Sequence, residues 1–158
     1  MIDIDGCMKK AIITALVASA AVISASFEAV AQSALKEMEI FSITDKVINS
    51  CSALDQISRD EFWKLKLNTL LEGKGKVVSV EEKAQFRRKY RITVTGGIEG
   101  KISLIYYIYT DNEDYKRILQ PGSMFGFKGQ FAMFTPLNSK RTLYLFDLIL
   151  EEGAALVE

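Results

Sequence analysis

The stretch Lys89-Tyr90-Arg91-Ile92-Thr93-Val94-Thr95-Gly96-Gly97, followed closely by Lys101-Ile102-Ser103-Leu104-Ile105-Tyr106-Tyr107-Ile108-Tyr109-Thr110, decides the fold. In the first run Tyr90, Ile92 and Val94 alternate with Arg91, Thr93 and Thr95, the period of two that marks a half-buried strand. Gly96-Gly97 opens a turn, and Gly100 belongs to the same loop. The second run puts Ile102, Leu104, Tyr106 and Ile108 on one side and Ser103, Ile105, Tyr107 and Tyr109 on the other. It is apolar on both faces, as a strand in a closed or covered sheet has to be.

Upstream, a strand is expected over Lys74 to Val80, with Val78 and Val80 on one face and Val77 on the other. Downstream, the polar run Asp111 to Leu119 has room for a short helix capped by Asp111 or Asn112, and Pro121-Gly122 makes a turn. A fourth strand follows over Ser123 to Phe134, where Gly126 and Gly129 suggest a bulge or sharp bend. The loop Thr135 to Arg141 leads to a fifth strand, Thr142 to Leu150, and residues 154–158 read as a frayed tail. Five strands with one helical insertion between the third and fourth give the order of an OB-fold. The expected class is α+β, mostly β: a five-stranded OB-fold-like barrel over residues 73–153 with one or two N-terminal helices.

Those helices are expected within residues 32–72, a stretch without proline and without glycine. Leu35, Met38, Ile43, Val47 and Ile48 form an apolar face at helical spacing, interrupted by Asn49, Ser50 and Ser52 around Cys51. A second helix is expected to start at Ser58, with Glu61 completing a capping box. Phe62, Leu65 and Leu70 then face inward, Trp63 stands at the edge, and Gly73 ends the helix.

The chain opens with a different signal. Met8-Lys9-Lys10, the apolar run Ala11 to Phe27 and the closing Ala29-Val30-Ala31 have the form of a secretory signal with an A-x-A cleavage site. The competing reading is a retained anchor, but 17 apolar-biased positions interrupted by Thr14, Ser19, Ser24 and Ser26 fall short of the roughly 20 that a span needs. No stable membrane span is expected after cleavage. Asp3 and Asp5 sit where a signal carries positive charge, which makes Met8 the expected initiator and residues 1–7, Cys7 included, a mis-assigned start. The expected location is periplasmic or secreted, with the mature chain beginning near Gln32.

Composition narrows the function. Removing residues 1–31 takes Lys9 and Lys10 from 20 basic residues and Asp3, Asp5 and Glu28 from 20 acidic ones, which leaves 18 against 17. Such a balance argues against a protein devoted to polyphosphate partners. The chain contains no histidine, so the commonest general acid–base and any Cys/His nucleophile are missing. No G-x-S-x-G or S-x-x-K setting and no zinc spacing occurs. Asp111, Glu113 and Asp114 could hold calcium, but they lack an EF-hand's glycine and closing glutamate and fit a helix start better. The expectation is a non-enzymatic protein with no cofactor and no metal. Cys51, alone after cleavage, is either buried and inert or the link of a Cys51-bridged dimer.

Two stretches also resemble a known family. Ile57-Ser58-Arg59-Asp60-Glu61-Phe62-Trp63-Lys64 with Gly73-Lys74-Gly75-Lys76-Val77-Val78-Ser79-Val80 resembles the helical lead-in and G-x-V-x-x-V first strand of the tRNA_anti-like OB-fold family. Leu119-Gln120-Pro121-Gly122-Ser123-Met124-Phe125-Gly126-Phe127-Lys128-Gly129 is similar to its L-x-x-G-x-x-V-x-x-x-G entry into strand four, with Phe125 in place of valine. The resemblance covers about the last two thirds of the mature chain. It implies an OB-fold and, by analogy with anticodon-binding domains, nucleic-acid binding; it carries no catalytic residue.

The ligand surface of such a fold lies across strands two and three. There Tyr107 and Tyr109 would face outward beside Arg91 and Thr93, with Arg87 and Arg88 at the edge. Aromatics beside arginine could stack on sugars, bases or a partner's side chain. The favoured partner is an envelope protein or oligosaccharide; single-stranded nucleic acid and a purely structural envelope role are the alternatives. The bland reading has both tyrosines covered by the N-terminal helices and the basic run solvated.

Overall fold

The computed structural model describes residues 39–151 and 156–157; the leader expected over residues 1–31 lies outside them. The described chain enters as a short strand, β1 (Ile40–Ser42), which pairs in parallel with the start of β2 (Leu70–Gln85). Between them stand two helices, α1 (Asp45–Ser52) and α2 (Gln56–Lys64). Then come β3 (Arg88–Gly97), β4 (Ser103–Thr110), the one-turn helix α3 (Tyr115–Ile118), β5 (Met124–Pro136), β6 (Leu143–Leu150) and the two-residue β7 (Leu156–Val157).

β2 makes the barrel possible. Its first half, Leu70 to Lys76, pairs antiparallel with β5, and its second half, from Lys76 onward, pairs antiparallel with β3. The remaining pairings are β3 with β4 antiparallel, β4 with β6 parallel, and β6 with β5 antiparallel. The hydrogen-bonded circuit β2-β3-β4-β6-β5 therefore returns to β2. Counted over those five strands, this is the OB-fold order, with α3 between the third and the fourth. Closure leaves none of the five with a fully open edge, the arrangement that best protects a sheet from pairing with other chains.

The interior is aromatic. Tyr106, Phe125, Phe127, Phe131, Tyr144 and Phe146 are all fully buried, and their rings meet edge-on or tilted. Alternation puts Ile92 and Val94 of β3 and Leu104, Tyr106 and Ile108 of β4 inside, as the sequence periodicity requires. On β2 the expected facing is corrected: Val77 is buried and Val78 is 48% exposed. The register slips between Val77 and Ser79, so a bulge resets the alternation and Val80 packs on the core together with Val77.

The N-terminal segment holds two helices, with corrections: Leu35 and Met38 of the first expected face lie outside the described residues, and α1 runs through the interruption expected at Asn49, Ser50 and Ser52. Phe41 belongs to β1 rather than to a helix, and Gly73 lies inside β2, since the barrel begins at Leu70. The cap of α2 is Asp55, whose carboxylate accepts from the Ile57 and Ser58 amides at 2.9 and 3.0 Å. A carboxylate that takes two orphan amides is the stronger cap, so the helix starts before Ser58. The inward stripe of α2 is Arg59 and Trp63, one turn apart, while Leu65, just past the helix end, is 78% exposed. Trp63 is therefore not at an edge. It is fully buried against Phe146 (4.9 Å between ring centroids), Phe62 (4.8 Å) and Tyr144 (6.1 Å).

Arg59 is buried because its guanidinium is saturated. It donates to the carbonyls of Cys51, Ser52 and Leu54 at the end of α1 (3.2, 3.2 and 2.7 Å) and to those of Lys140 and Arg141 in the β5–β6 loop (3.3 and 2.6 Å). Near the opposite end of β4, Leu119 just past α3 is buried, and Tyr115 of α3 meets the ring of Phe125. The N-cap of α3 is Asp114 rather than Asp111 or Asn112. Asp111 instead accepts from the Lys89 amide at 3.1 Å and from Arg88. Within the expected tail, Leu156 and Val157 pair with Gly126 and Phe125.

Trp63→Ala should lower unfolding stability by about 3–5 kcal/mol, because a large buried ring leaves a cavity, whereas Leu65→Ala should stay within about 0.5 kcal/mol. Urea titrations followed by circular dichroism measure both.

Candidate functional site

The six residues expected to form a ligand face all come from β3, β4 and the turn before β3. Arg91, Thr93, Tyr107 and Tyr109 do share the outer side of the barrel, since Arg91 pairs with Tyr109 and Thr93 with Tyr107. The structure divides them, however, into a buried cluster and an accessible remainder.

Tyr109 is 1% exposed. What covers it is not the N-terminal helices but the β2–β3 hairpin: the Phe86 ring meets it edge-on at 5.2 Å, and Gln85 lies beside its hydroxyl. The hydroxyl stands 2.8 Å from Gln85 Oε1 and 3.1 Å from Asp147 Oδ1 on β6. One phenolic proton serves one acceptor. Donation to Asp147, with the Gln85 amide turned to donate in return, satisfies all three groups. Asp147 is itself 2% exposed, and burial pushes its carboxyl above the usual range against the opposing pull of the Tyr109 bond and the Arg91 charge.

Arg91 is 8% exposed and already engaged. It donates to Glu81 Oε2 at 2.8 Å, and its guanidinium carbon lies 4.1 Å from the centre of the Tyr107 ring. The Glu81 carboxyl is held below the usual range, first by the Ser79 hydroxyl and then by the Arg91 charge. Arg88 is likewise committed, at 2.7 Å from Asp111, whose carboxyl that bond lowers. Thr93 and Tyr107 are half-buried and Arg87 is exposed at the hairpin tip. The accessible part of the expected face is therefore Tyr107, backed by the buried Arg91 and flanked by Thr93, Ile105 and Leu145.

Sequence reasoning missed Asp147, Gln85, Phe86 and Glu81. Asp147 carried a signal: it is the one charged residue inside the apolar fifth strand, on the side opposite Phe146 and Leu148. The hairpin gave none. Phe86 and Arg87 both adopt positive φ (52° and 61°), the geometry of a tight hairpin turn that asparagine and glycine usually supply.

Cys51 is fully buried at the end of α1, and burial pushes its thiol up to about 11. A bridge to another chain requires that helix end to open. Among the described residues no cluster of acidic, cysteine or histidine side chains has the geometry of a metal site.

Comparison with known proteins adds little. No family model matches the chain, and no curated protein does. Among solved structures it is similar to asparaginyl-tRNA synthetase of Entamoeba histolytica in complex with asparaginyl-adenylate, at 12% identity and a TM-score of 0.41, over 77% of this chain and 24% of that one. The chain thus spans about a quarter of that synthetase. The strand pairing, not this likeness, defines the OB-fold.

Two measurements test the cluster and the cysteine. Asp147 binds its proton more tightly folded than unfolded, so its contribution to stability is complete below the unfolded value near pH 3.9 and is lost as pH rises through the raised folded value. Asp147→Asn should therefore gain stability relative to wild type as pH rises from 4 to 7, read by urea unfolding at each pH. Cys51 should resist a thiol reagent at pH 8 in the native protein and react on addition of denaturant.

Proposed function

We propose that this protein is an exported, non-enzymatic OB-fold binding module that recognises an envelope protein or oligosaccharide through the outer face of β3 and β4, centred on Tyr107. The observation that carries this reading is the Arg91–Tyr107 stack on a half-buried outer face. A phenol held against a guanidinium makes a rigid, amphipathic platform with little entropy left to lose on binding. Sugar rings and partner side chains use such platforms.

Charge ranks the alternatives. A single-strand binder needs cations free to meet phosphates. On this face Arg91 is neutralised by Glu81 and Arg88 by Asp111, which leaves Arg87 at the tip and the exposed Lys89 beside it, fewer free cations than a phosphate-tracking groove uses. The resemblance to the tRNA_anti-like family belongs to the same reading: Gly122 at φ 90° and buried Leu119 and Phe125 are consistent with its strand-four entry. Export rests on the sequence of residues 8–31.

The test titrates the protein with a panel of defined bacterial-envelope oligosaccharides and with oligo-dT at low and moderate salt. Saturable sugar binding that Tyr107→Ala weakens by about tenfold or more, with unfolding unchanged, is the expected result; such a loss is typical of truncating a central aromatic contact. Salt-sensitive retention of oligo-dT would transfer the face to nucleic acid. An intact mass beginning near Gln32 in the periplasmic or secreted fraction is expected, and the full-length chain in cytosol would remove the export half of the proposal.

A further inference from the structure

A cleft lies away from that face, where β2 exchanges β5 for β3. The β2–β3 ladder begins only at Lys76 and Thr95, so Gly75 and Gly96 stand at the point where the two strands part. The backbones approach closely here: a Cβ on Gly75 would sit 2.3 Å from the Thr95 carbonyl oxygen, and one on Gly96 3.1 Å from the Tyr106 ring. The cleft of about 450 Å³, within the range typical of small-molecule sites, is lined by both glycines.

Tyr106 lines this cleft from the barrel interior. Its ring packs on Phe127 at 4.8 Å and Phe146 at 5.9 Å, and the residue is fully buried. Its hydroxyl has no hydrogen-bond partner among the described residues. Leaving a buried hydroxyl unpaired costs about 1–3 kcal/mol, so phenylalanine would serve the core better unless the oxygen meets something in the cleft. Burial holds the phenol well above its ordinary range, so it is a neutral donor and acceptor.

The rim supplies two charges of each sign. Lys74 and Lys76, two residues apart, fall on one side of β2. Asp45 at the start of α1 and Glu99 in the β3–β4 loop complete the rim. None of the four forms an ion pair among the described residues, although every one is long or exposed enough to find a counter-charge if one were in reach. A simple anion would be drawn by the lysines and repelled by the acids, and a simple cation the reverse. A ligand carrying both charges, separated, satisfies all of them.

We propose that this cleft binds a small zwitterion of amino-acid or dipeptide size, its carboxylate toward Lys74 and Lys76, its ammonium toward Asp45 and Glu99, and a polar group on the Tyr106 hydroxyl. The site is independent of the Tyr107 face, because Tyr106 and Tyr107 point to opposite sides of β4.

Thermal unfolding and calorimetry of the full chain, with the common L-amino acids, a set of dipeptides, acetate and ethylamine at equal millimolar concentration, test it. At least one zwitterion should raise the melting temperature dose-dependently while acetate and ethylamine do not. Tyr106→Phe should weaken that binding about tenfold, equivalent to about 1.4 kcal/mol, while the unliganded variant melts no lower than wild type. Lys76→Ala and Asp45→Ala should each weaken it as well. The proposal is overturned if no amino acid or dipeptide binds, if acetate alone matches the best of them, or if Tyr106→Phe binds as tightly as wild type.

Discussion

One strand that belongs to two ladders governs this structure. β2 can pair with β5 through Leu70–Lys76 and with β3 beyond Lys76 only if its backbone bends sharply at the exchange, and the circuit of five strands closes only if it does. Glycines at 73 and 75 leave room for Phe127 and for the Thr95 carbonyl, which a Cβ would meet at 2.9 and 2.3 Å, and the bulge after Val77 sets the second half in phase with the core. The cleft lined by Gly75 and Gly96 lies at this exchange of partners.

The length of β2 has a second effect. It overshoots the barrel and, with β3, forms a hairpin that folds Gln85 and Phe86 over Tyr109. An outer-face tyrosine thereby becomes part of a second, small interior with Asp147 and Arg91. This polar annex is satisfied largely from within: Tyr109 to Asp147 and Gln85, Arg91 to Glu81 and Tyr107. It stiffens the region where the proposed ligand platform sits.

Much of the fold was legible because period-two alternation is strong in Tyr90–Val94 and Ile102–Ile108, and because a polar helix-length gap separates strands three and four. Facing was legible wherever one side of a strand is polar. It failed at Val77 and Val78, where three apolar residues in five conceal a bulge, and at Trp63, where a buried arginine disguised the inward stripe of α2 as a charged one. The candidate face was half legible. Alternation correctly grouped Arg91, Thr93, Tyr107 and Tyr109 on one side, but the cover over Tyr109 comes from a turn, Phe86-Arg87, made of residues that rarely form such turns. The cleft had no one-dimensional trace at all, since Asp45, Lys74, Gly96, Glu99 and Tyr106 meet only when the circuit is closed.

The five carbonyls gathered by Arg59 bear on how this chain tolerates change in length. Three belong to the end of one helix and two to the surface loop between the last long strands, so a single planar group measures the distance between segments about 90 residues apart in sequence. Loops on barrels ordinarily accept inserted residues cheaply. Here an insertion between Leu137 and Thr142 would pull two acceptors off a buried cation, making this loop a poor place to graft an epitope or split the chain.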